Sequence, residues 1–503
     1  MFTKKNRFLS GFMVLCTTVL LLSACGQGGT KGEGTRSALG TGVPKDNVEI
    51  EFYMAGTRQE PDTGLVMEKV NEYLKDKINA KINYHVIDWG SYDHKMNTML
   101  ASGEPMDIIF TTNWTANFRL NATTGYFLAL DDYLKQSSTI EKIVGKDFLD
   151  GSSINGKHYG LPSNGTKAHS WGYALKKDLV EKYDIDLSSI KTTRDLVPYF
   201  EEIKADEPGV YPLLLLNMDT PYHLLDWDAL SDDDIPGALY PDGRNTKVVN
   251  QFLAPETIDY YNEMREYFLK GYVPQDAATM ASDNQMKSGK YFASVTPIVP
   301  GKEATLYNTT GIQWATVQIT KPAVSSRETT GSLLAIPTSS KTPERAFRFI
   351  EMLYTDKYLR NLFSFGIENV HYTINPDGRV KLTKEGNDKY NPGGSGWKYG
   401  DQFKDLLYET EDPQKFKLYD EFNKSATVMP SLGFIFDKTD EVENKMLSCK
   451  TVVQNYYKQL FSGSVDVDST VAKFERDLKA AGVDDVINEM QKQYDEWLGK
   501  KGK

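Results

Sequence analysis

The part of the chain after residue 47 opens with a regular alternation of apolar and polar residues. Val48, Ile50, Phe52 and Met54 occupy every second position, which predicts a strand, and apolar residues at helical spacing predict a helix from about residue 63. The same patterns predict a strand at 82–86, a helix at 92–102 and a strand at 106–110. Strands that alternate with helices favour a parallel sheet with crossover helices, which binds ligands beyond the carboxyl ends of its strands.

The rest of the chain is predicted to be richer in helices. Helices are predicted at 176–183, 193–205, 254–269 and 343–354, strands at 213–216 and 333–337, and tight turns, interpreted as hairpins, at 240–244 and 375–379. The last hundred residues are mostly helical. The final helix is predicted to bury Val483, Val486, Ile487, Met490, Tyr494 and Trp497.

The first 25 residues have the layout of a secretory signal peptide. Basic residues precede an apolar run, and the run ends in Leu22-Ser23-Ala24-Cys25. This ending resembles the lipobox of bacterial lipoproteins, which implies cleavage after residue 24 and a lipid on Cys25. The alternative, an uncleaved membrane anchor, is less favoured because a spanning helix needs roughly 20 apolar residues.

The stretch after Cys25 is predicted to be a flexible tether. Seven of residues 26–45 are glycine and no apolar period is present. A glycine-rich coil of that length has a root-mean-square reach of roughly 25 Å. The folded part is therefore expected to stand above the outer face of the bacterial cell membrane while attached to it.

Composition and charge are those of a globular protein that does not bind nucleic acid. The chain has 503 residues, of which 40% are hydrophobic and 25% charged, as in ordinary globular proteins. The net charge of -11 argues against nucleic-acid binding. Cys16 would leave with the signal peptide and Cys25 would carry lipid, so Cys449 has no partner within the chain and is predicted to be a buried structural thiol.

Motifs for catalysis, nucleotides or metals are absent from the sequence. It contains no G-x-x-x-x-G-K-[ST], no G-x-S-x-G and no H-E-x-x-H. His158 and His169 are interpreted as structural residues rather than zinc ligands, and Asp232–Asp234 as a solvated acidic loop rather than a calcium site. A pair of glycosidase carboxylates remains open, because such pairs meet only in the fold.

Several segments, in order, resemble the extracellular solute-binding proteins of ABC importers, the group that includes maltose-binding protein. They are ASGEPMD at 101–107, GYFLALDDY at 125–133, NGKHYGLP at 155–162, and SLLAIP at 332–337 followed by PERAF at 343–347. Segments at 361–372, 423–426, 433–437, 481–484 and 491–493, with Trp497, resemble a subgroup. Its members carry an uncharacterised C-terminal domain and accompany importers of complex carbohydrates.

The resemblance implies an α/β, two-lobed periplasmic-binding-protein-like fold. Each lobe would hold a mostly parallel sheet flanked by helices, with interlobe hinge strands, extra C-terminal helices and a ligand cleft that closes by hinge motion. The predicted division is 1–24 signal peptide, 25–47 lipidated cysteine and tether, 48–162 plus 298–338 lobe one, and 163–297 plus 339–503 lobe two.

The function implied is capture of an oligosaccharide and its delivery to an ABC permease whose ATPase is a separate protein. The chain is expected to be a monomer without cofactor, metal or catalytic activity. The alternatives left open are a peptide-binding protein of the same fold, a tethered glycoside hydrolase, and a sensory partner that docks on a receptor kinase. The identity, linkage and length of the sugar do not follow from the sequence.

A sugar site needs aromatic faces flanked by polar side chains, because sugar rings combine an apolar face with a rim of hydroxyls. Loop residues next to predicted strand ends are the candidates. They are Thr57, Asn113 and Trp114 in lobe one, Asn164 and Trp171 near the crossing, Tyr222, Asp226 and Trp227 in lobe two, and Tyr372 and Trp397 as further lobe-two residues.

Overall fold

A computed structural model describes residues 42–501 except 216–219, 280–284, 393–394 and 439. The predicted signal peptide, Cys25 and the tether up to residue 41 lie outside the described residues. Within the described residues, no helix combines the length and apolar character needed to cross a membrane.

The first sheet has five strands. In spatial order they are Ala80–Asp88, Val48–Gly56, Ile108–Thr111, Leu333–Ala335 and Gly160–Pro162. The first three strands are parallel, as the alternation of strands and helices predicts. They are joined by the helices Thr63–Lys75 and Trp89–Ser102, which confirms the predicted elements to within a few residues.

The second sheet has four strands. In spatial order they are Trp314–Gln318, Trp171–Lys176, Tyr291–Pro297 and Tyr211–Leu214. The last two pair parallel with each other, and Trp314–Gln318 runs in the same direction as they do. In each sheet all strands except one therefore run in the same direction, which confirms the expected mostly parallel sheets. The exceptions are Leu333–Ala335 and Trp171–Lys176, which enter their sheets from the other lobe and pair antiparallel to both neighbours.

Helices cover both sheets. The other α-helices are Phe118–Thr123, Asp131–Gln136, Thr139–Val144, Lys146–Asp150, Lys177–Lys182, Val197–Asp206, Pro255–Leu269, Lys302–Thr310, Ser326–Thr329, Pro343–Thr355, Lys357–Phe365, Lys384–Lys389, Lys415–Ser425, Asp440–Ser462, Val467–Ala480 and Val483–Lys501. The 3₁₀ helices are Leu187–Ser189, Thr193–Leu196, Pro221–Leu225, Gln251–Leu253, Met286–Ser288, Ser395–Lys398 and Gln402–Lys404. Short strand pairs are Asp228–Ala229 with Ala238–Leu239, Ala323–Val324 with Thr427–Val428, and Tyr372–Ile374 with Val380–Leu382. The last pair confirms the hairpin predicted at 375–379.

A first hydrophobic core packs on the first sheet and a second core on the second sheet, and their members differ from the predicted division into lobes. Helices Pro343–Thr355 and Lys357–Phe365 were assigned to lobe two, but their apolar faces join the first core. Phe349 and Phe363 lie 5.8 Å and 6.3 Å from the ring of Phe52. Conversely, strand Trp314–Gln318 was assigned to lobe one but pairs with the second sheet. Helical periodicity identifies an apolar face, but it does not say which of two sheets will cover it.

Three crossing stretches lie side by side between the lobes. The first stretch contains His169 and the second contains Ala323. These two residues pair through two backbone hydrogen bonds of 2.9 Å. Ala323–Val324 pairs in turn with Thr427–Val428 in the third. This arrangement supplies the predicted interlobe strands, although it consists of short pairings rather than long strands.

The C-terminal helices complete the second core. Val483, Val486, Met490 and Tyr494 of the last helix are buried as predicted. Ile487 and Trp497 are half-buried, and Trp497 packs against Phe434. Cys449 on helix Asp440–Ser462 is fully buried, and this burial raises the pKa of its thiol to about 11. A buried protonated thiol is inert, so the predicted structural role of Cys449 is confirmed.

Candidate functional site: a tryptophan-lined cavity

Three tryptophans from distant parts of the chain meet at the carboxyl edge of the first sheet. Trp89 begins the helix after strand Ala80–Asp88, Trp114 lies in the loop after Ile108–Thr111, and Trp397 lies in the 3₁₀ helix Ser395–Lys398. The ring centroid of Trp89 is 5.6 Å from that of Trp114 and 6.4 Å from that of Trp397, and the rings of Trp89 and Trp397 are parallel within 4°. Phe110 packs edge-on against all three rings.

These tryptophans line a cavity of about 640 Å³ together with Asp93 and Thr115. Cavities of this size and aromatic character are typical of small-ligand sites. Trp114 is 57% exposed and Trp397 is 39% exposed, although large apolar side chains are normally buried. The cavity therefore presents indole faces and a carboxylate to solvent on the same surface.

Hydrogen bonds at its base hold the Trp114 loop in place. The hydroxyl oxygen of Thr112 accepts from the backbone N–H groups of Trp114 at 2.9 Å and Thr115 at 2.8 Å. Asp93 Oδ1 accepts from the N–H of Ala116 at 2.7 Å, which supports the left-handed backbone of Ala116 (φ 44°). The loop is therefore preorganised, so binding a ligand there need not cost the entropy of ordering it.

Lys398 lies behind the tryptophans. It is buried, its Nζ donates to the carbonyl of Ala55 at 2.8 Å, and the same atom lies 5.5 Å from the ring centroid of Trp89. Burial lowers the pKa of Lys398 to about 8, so the ammonium form still predominates at pH 7. A buried cation over an indole face strengthens the packing of that ring.

The tryptophan cavity is connected to the crossing stretch between the lobes. The N–H of Asn113 donates to the carbonyl of Thr330 at 2.9 Å, and its side-chain amide donates to the carbonyl of Arg327 at 3.2 Å. The Arg327 guanidinium forms an ion pair with Asp233 of the second lobe. A ligand against Trp114 would therefore lie close to the groups that join the lobes.

A second aromatic surface lies at the edge of the second sheet. Trp171 begins its strand there, and its ring stacks on His223 with centroids 4.0 Å apart and planes within 6°. Burial lowers the pKa of His223 to about 4, so the imidazole is neutral at pH 7. This pair provides the second lobe with an aromatic surface near the crossing.

His169 joins two carboxylates at the same crossing. Its Nε2 lies 2.9 Å from Asp226 Oδ1, and its Nδ1 lies 3.0 Å from Glu328 Oε1, near enough for an ion pair but not aligned as a hydrogen bond. Burial by itself lowers the pKa of His169, but the two carboxylates outweigh it and raise this pKa to about 10. His169 is therefore a permanent cation at neutral pH, as its predicted structural role requires.

The structure brings together only some of the predicted ligand residues. Trp114 and Trp397 share the cavity, and Trp397 belongs to the first lobe rather than the second. Asn113 lies beside them, and Thr57 is exposed at the end of the first strand. Trp171 lies on the second aromatic surface, and Asp226 is engaged by His169.

Of the other four predicted residues, Tyr222, Tyr372 and Asn164 are buried, and Trp227 is half-buried. Tyr222 is 5% exposed and stacks on Phe461 with ring centroids 4.5 Å apart. Tyr372 is 6% exposed and packs against Phe365. Asn164 is buried and donates to Asp401 at 2.7 Å. Trp227 packs on Tyr240, and its indole N–H donates to Thr257 at 3.2 Å. These contacts argue against direct ligand contact by Tyr222, Tyr372 and Asn164, since their neighbours leave almost no surface exposed.

Sequence patterns missed several residues of these surfaces. Trp89 comes three residues after the strand predicted at 82–86, so the rule that selected Trp114 could also have selected Trp89. Asp93, Lys398 and His223 carry no local signal, because their positions depend on contacts with distant segments.

Comparison with known proteins identifies the family of the chain. A family model described as "Bacterial extracellular solute-binding protein" matches residues 57–359, which is more than half of the chain. The chain belongs to this family. A second model, "Domain of unknown function (DUF3502)", matches residues 430–499. Both matches confirm the resemblance seen in the sequence, including the subgroup with an uncharacterised C-terminal domain.

Relatives of this solute-binding protein span its full length. It is 26% identical over 504 residues to a "Carbohydrate ABC transporter substrate-binding protein" of Streptococcus pneumoniae serotype 4, with 99% of each chain covered. Its fold matches the crystal structure of the "N-glycan transport solute binding protein (NgtS)" from Streptococcus pneumoniae with a TM-score of 0.82 and 26% identity, covering 91% of this chain and 100% of the other. The complex of NgtS with Man5GlcNAc matches with a TM-score of 0.69, 26% identity, and coverage of 91% of this chain and 99% of the other. These relatives are transport proteins that bind substrates, and the two-lobed fold expected from the sequence is confirmed.

Proposed function

We propose that this chain captures an oligosaccharide outside the cytoplasmic membrane and delivers it to the permease of an ABC transporter. The observation that carries this proposal is the cavity lined by Trp89, Trp114 and Trp397 with Asp93 beside them. Indole faces cover the apolar faces of sugar rings, and a carboxylate accepts hydrogen bonds from the hydroxyls at their rims.

The relatives support the same substrate class. The streptococcal relative is named for carbohydrate transport, and NgtS has been crystallised with Man1GlcNAc and Man5GlcNAc. We therefore take mannose-containing N-glycan fragments as the first ligands to test. An aromatic surface also exists on the second lobe, where Trp171 stacks on His223, so a bound oligosaccharide could be held between two aromatic surfaces.

Isothermal titration calorimetry tests the substrate class. The panel contains Man1GlcNAc, Man5GlcNAc, unrelated oligosaccharides such as kestose, and oligopeptides of similar length. We expect saturable binding of at least one oligosaccharide and none of the peptides. Tight binding of peptides alone would overturn the oligosaccharide proposal.

We also propose that the protein performs no chemistry on its ligand. Among the residues that the structure describes, Asp93 is the one carboxylate that lines the tryptophan cavity, whereas glycoside hydrolysis needs two carboxylates about 5–10 Å apart. Prolonged incubation of the protein with Man5GlcNAc should release no new reducing ends. Steady release that disappears in Asp93→Asn would identify a glycosidase.

The lipid anchor predicted at Cys25 follows from the sequence and completes the proposal. A lipid on Cys25 would keep the protein beside its permease, where each captured ligand is delivered at high local concentration. Replacing this residue, Cys25→Ser, should release or mislocalise the protein, because the acyl chains that hold it at the membrane are lost. The measurement is the distribution of the protein between membrane fraction and culture medium.

Cys449→Ala is the matched control for this prediction, because it removes a cysteine that the structure buries in the second core. It should leave the protein in the membrane fraction. Oligosaccharide affinity should be the same in Cys25→Ser as in the unaltered protein. Retention of Cys25→Ser at the membrane would contradict the anchor.

A further inference from the structure

Arg360 is a fully buried charged residue close to the tryptophan cavity. It lies on helix Lys357–Phe365 and none of its surface is exposed. Its Nε donates to Asp405 Oδ1 at 2.7 Å, and its Nη2 lies 3.0 Å from Asp405 Oδ2, which makes the ion pair bidentate. Burying a charge is costly unless all its polar groups have partners, so the remaining donors of Arg360 need acceptors.

The remaining donors of Arg360 reach the loop that carries Trp397. Nη2 donates to the carbonyl of Gly396 at 2.5 Å, and Nη1 donates to the carbonyl of Tyr399. The guanidinium carbon also lies 4.6 Å from the ring centroid of Tyr399. The two carbonyls flank Trp397 and Lys398, so one planar side chain holds both ends of the segment that supplies an indole and a cation to the site.

The close packing at Gly396 shows how tightly this loop fits. A Cβ atom at Gly396 would lie 2.3 Å from Asp405 Oδ2 and 3.0 Å from Arg360 Nη2. Only glycine permits the loop backbone to approach the ion pair so closely. The loop is held on its other side as well, because Ser332 donates its hydroxyl to the carbonyl of Trp397 at 3.1 Å and Lys398 donates to Ala55.

We infer that Arg360 is a positioning residue for ligand binding: with Asp405, it fixes the 396–399 loop so that Trp397 faces the cavity parallel to Trp89. Arg360 does not line the cavity and acts only through the loop. A guanidinium suits this role because its rigid fork satisfies a carboxylate and two separate carbonyls together, which a lysine ammonium does not. The inference rests on the proposed function of the cavity.

The loop position can be tested without a ligand by fluorine NMR of protein labelled with 5-fluorotryptophan. The chain has seven tryptophans, and the Trp397→Phe variant identifies the Trp397 resonance. We expect Arg360→Met to shift or broaden the resonances of Trp397 and Trp89 and to leave that of Trp497 unchanged. Gly396→Ala should have the same effect without leaving an unpaired buried charge, so it decides the question if Arg360→Met does not fold.

Arg345→Met is the matched control. Arg345 is a buried arginine of the same lobe that donates to the carbonyls of Ile78 at 2.6 Å and Asn79 at 3.1 Å. Neither of these partners belongs to the 396–399 loop. This variant should lower the melting temperature as Arg360→Met does but leave the Trp397 resonance in place. A change of the Trp397 resonance in Arg345→Met as large as in Arg360→Met would assign Arg360 a general structural role and overturn the inference.

Affinity for Man5GlcNAc is the second readout. We expect Arg360→Met and Gly396→Ala to weaken this affinity by about tenfold or more, because a binding site loses affinity when a side chain that touches the ligand is misplaced by about 1 Å. Arg345→Met should leave the affinity unchanged. Unaltered affinity and an unaltered Trp397 resonance in both Arg360→Met and Gly396→Ala would reject the positioning role. If the unaltered protein does not bind this glycan, the proposed ligand fails, while the fluorine spectra still decide the role of Arg360.

Discussion

Replacing Trp114 with alanine should weaken oligosaccharide binding roughly 30-fold and leave the folded protein intact. The indole is 57% exposed, so most of its surface is free to cover a sugar ring and contributes little to the core. Burying about 80 Å² of apolar surface on a ligand is worth about 2 kcal/mol, which is roughly 30-fold in the dissociation constant. Calorimetry with the glycan that binds the unaltered protein measures the loss.

Tyr307→Ala provides the control for Trp114→Ala. Tyr307 is 51% exposed on helix Lys302–Thr310, which packs beside the second sheet and contributes nothing to the tryptophan cavity. This variant removes an aromatic ring of similar exposure and should leave the affinity unchanged. Equal affinity in Trp114→Ala and the unaltered protein would exclude Trp114 from the site and leave the cavity without its most exposed wall.

The variant His169→Leu should lower the free energy of unfolding by about 3 kcal/mol at pH 7. Removing one member of a buried ion-pair cluster leaves the others without compensation, which typically costs 3–5 kcal/mol. Here the carboxylates of Asp226 and Glu328, each with 15% of the side chain exposed, would face each other without the imidazolium. Urea denaturation followed by tryptophan fluorescence measures the change.

The contribution of His169 should also depend on pH in a defined direction. Its pKa is raised to about 10 in the folded protein, above the value of about 6.5 in unfolded chains. The stabilisation is therefore complete below pH 6.5, declines as the pH rises and is lost as the pH passes about 10. The difference between the unaltered protein and His169→Leu should shrink over that range.

His94→Leu serves as the control, since His94 is exposed on helix Trp89–Ser102 and should change stability by less than about 0.5 kcal/mol. A difference between His169→Leu and the unaltered protein that stays constant from pH 6 to pH 10.5 would show that His169 stabilises the crossing by packing alone.

Trp114 and Tyr222 show where sequence patterns predict a ligand residue correctly and where they do not. Trp114 was predicted because it follows a strand whose apolar run is visible in the sequence, and the structure places it in the cavity. Tyr222 was predicted on the same grounds but lies in the core, because helix Asp440–Ser462 brings Phe461 against its ring. Each of these two aromatic residues follows a predicted apolar strand, so the local sequence does not distinguish them. Burial differs because a distant segment covers one ring and not the other.

The sequence by itself determined the order of strands and helices, the parallel start of the first sheet, the buried thiol of Cys449 and the family of the chain. These properties depend on periodic apolar positions and on short motifs, which act within a few residues. Only the tertiary structure decided the assignment of helices 343–365 to the first lobe, the meeting of Trp89, Trp114 and Trp397, and the pairing of His169 with its two carboxylates. Each of these depends on contacts between segments far apart in the chain, and such contacts arise from the packing of complementary surfaces rather than from any local pattern.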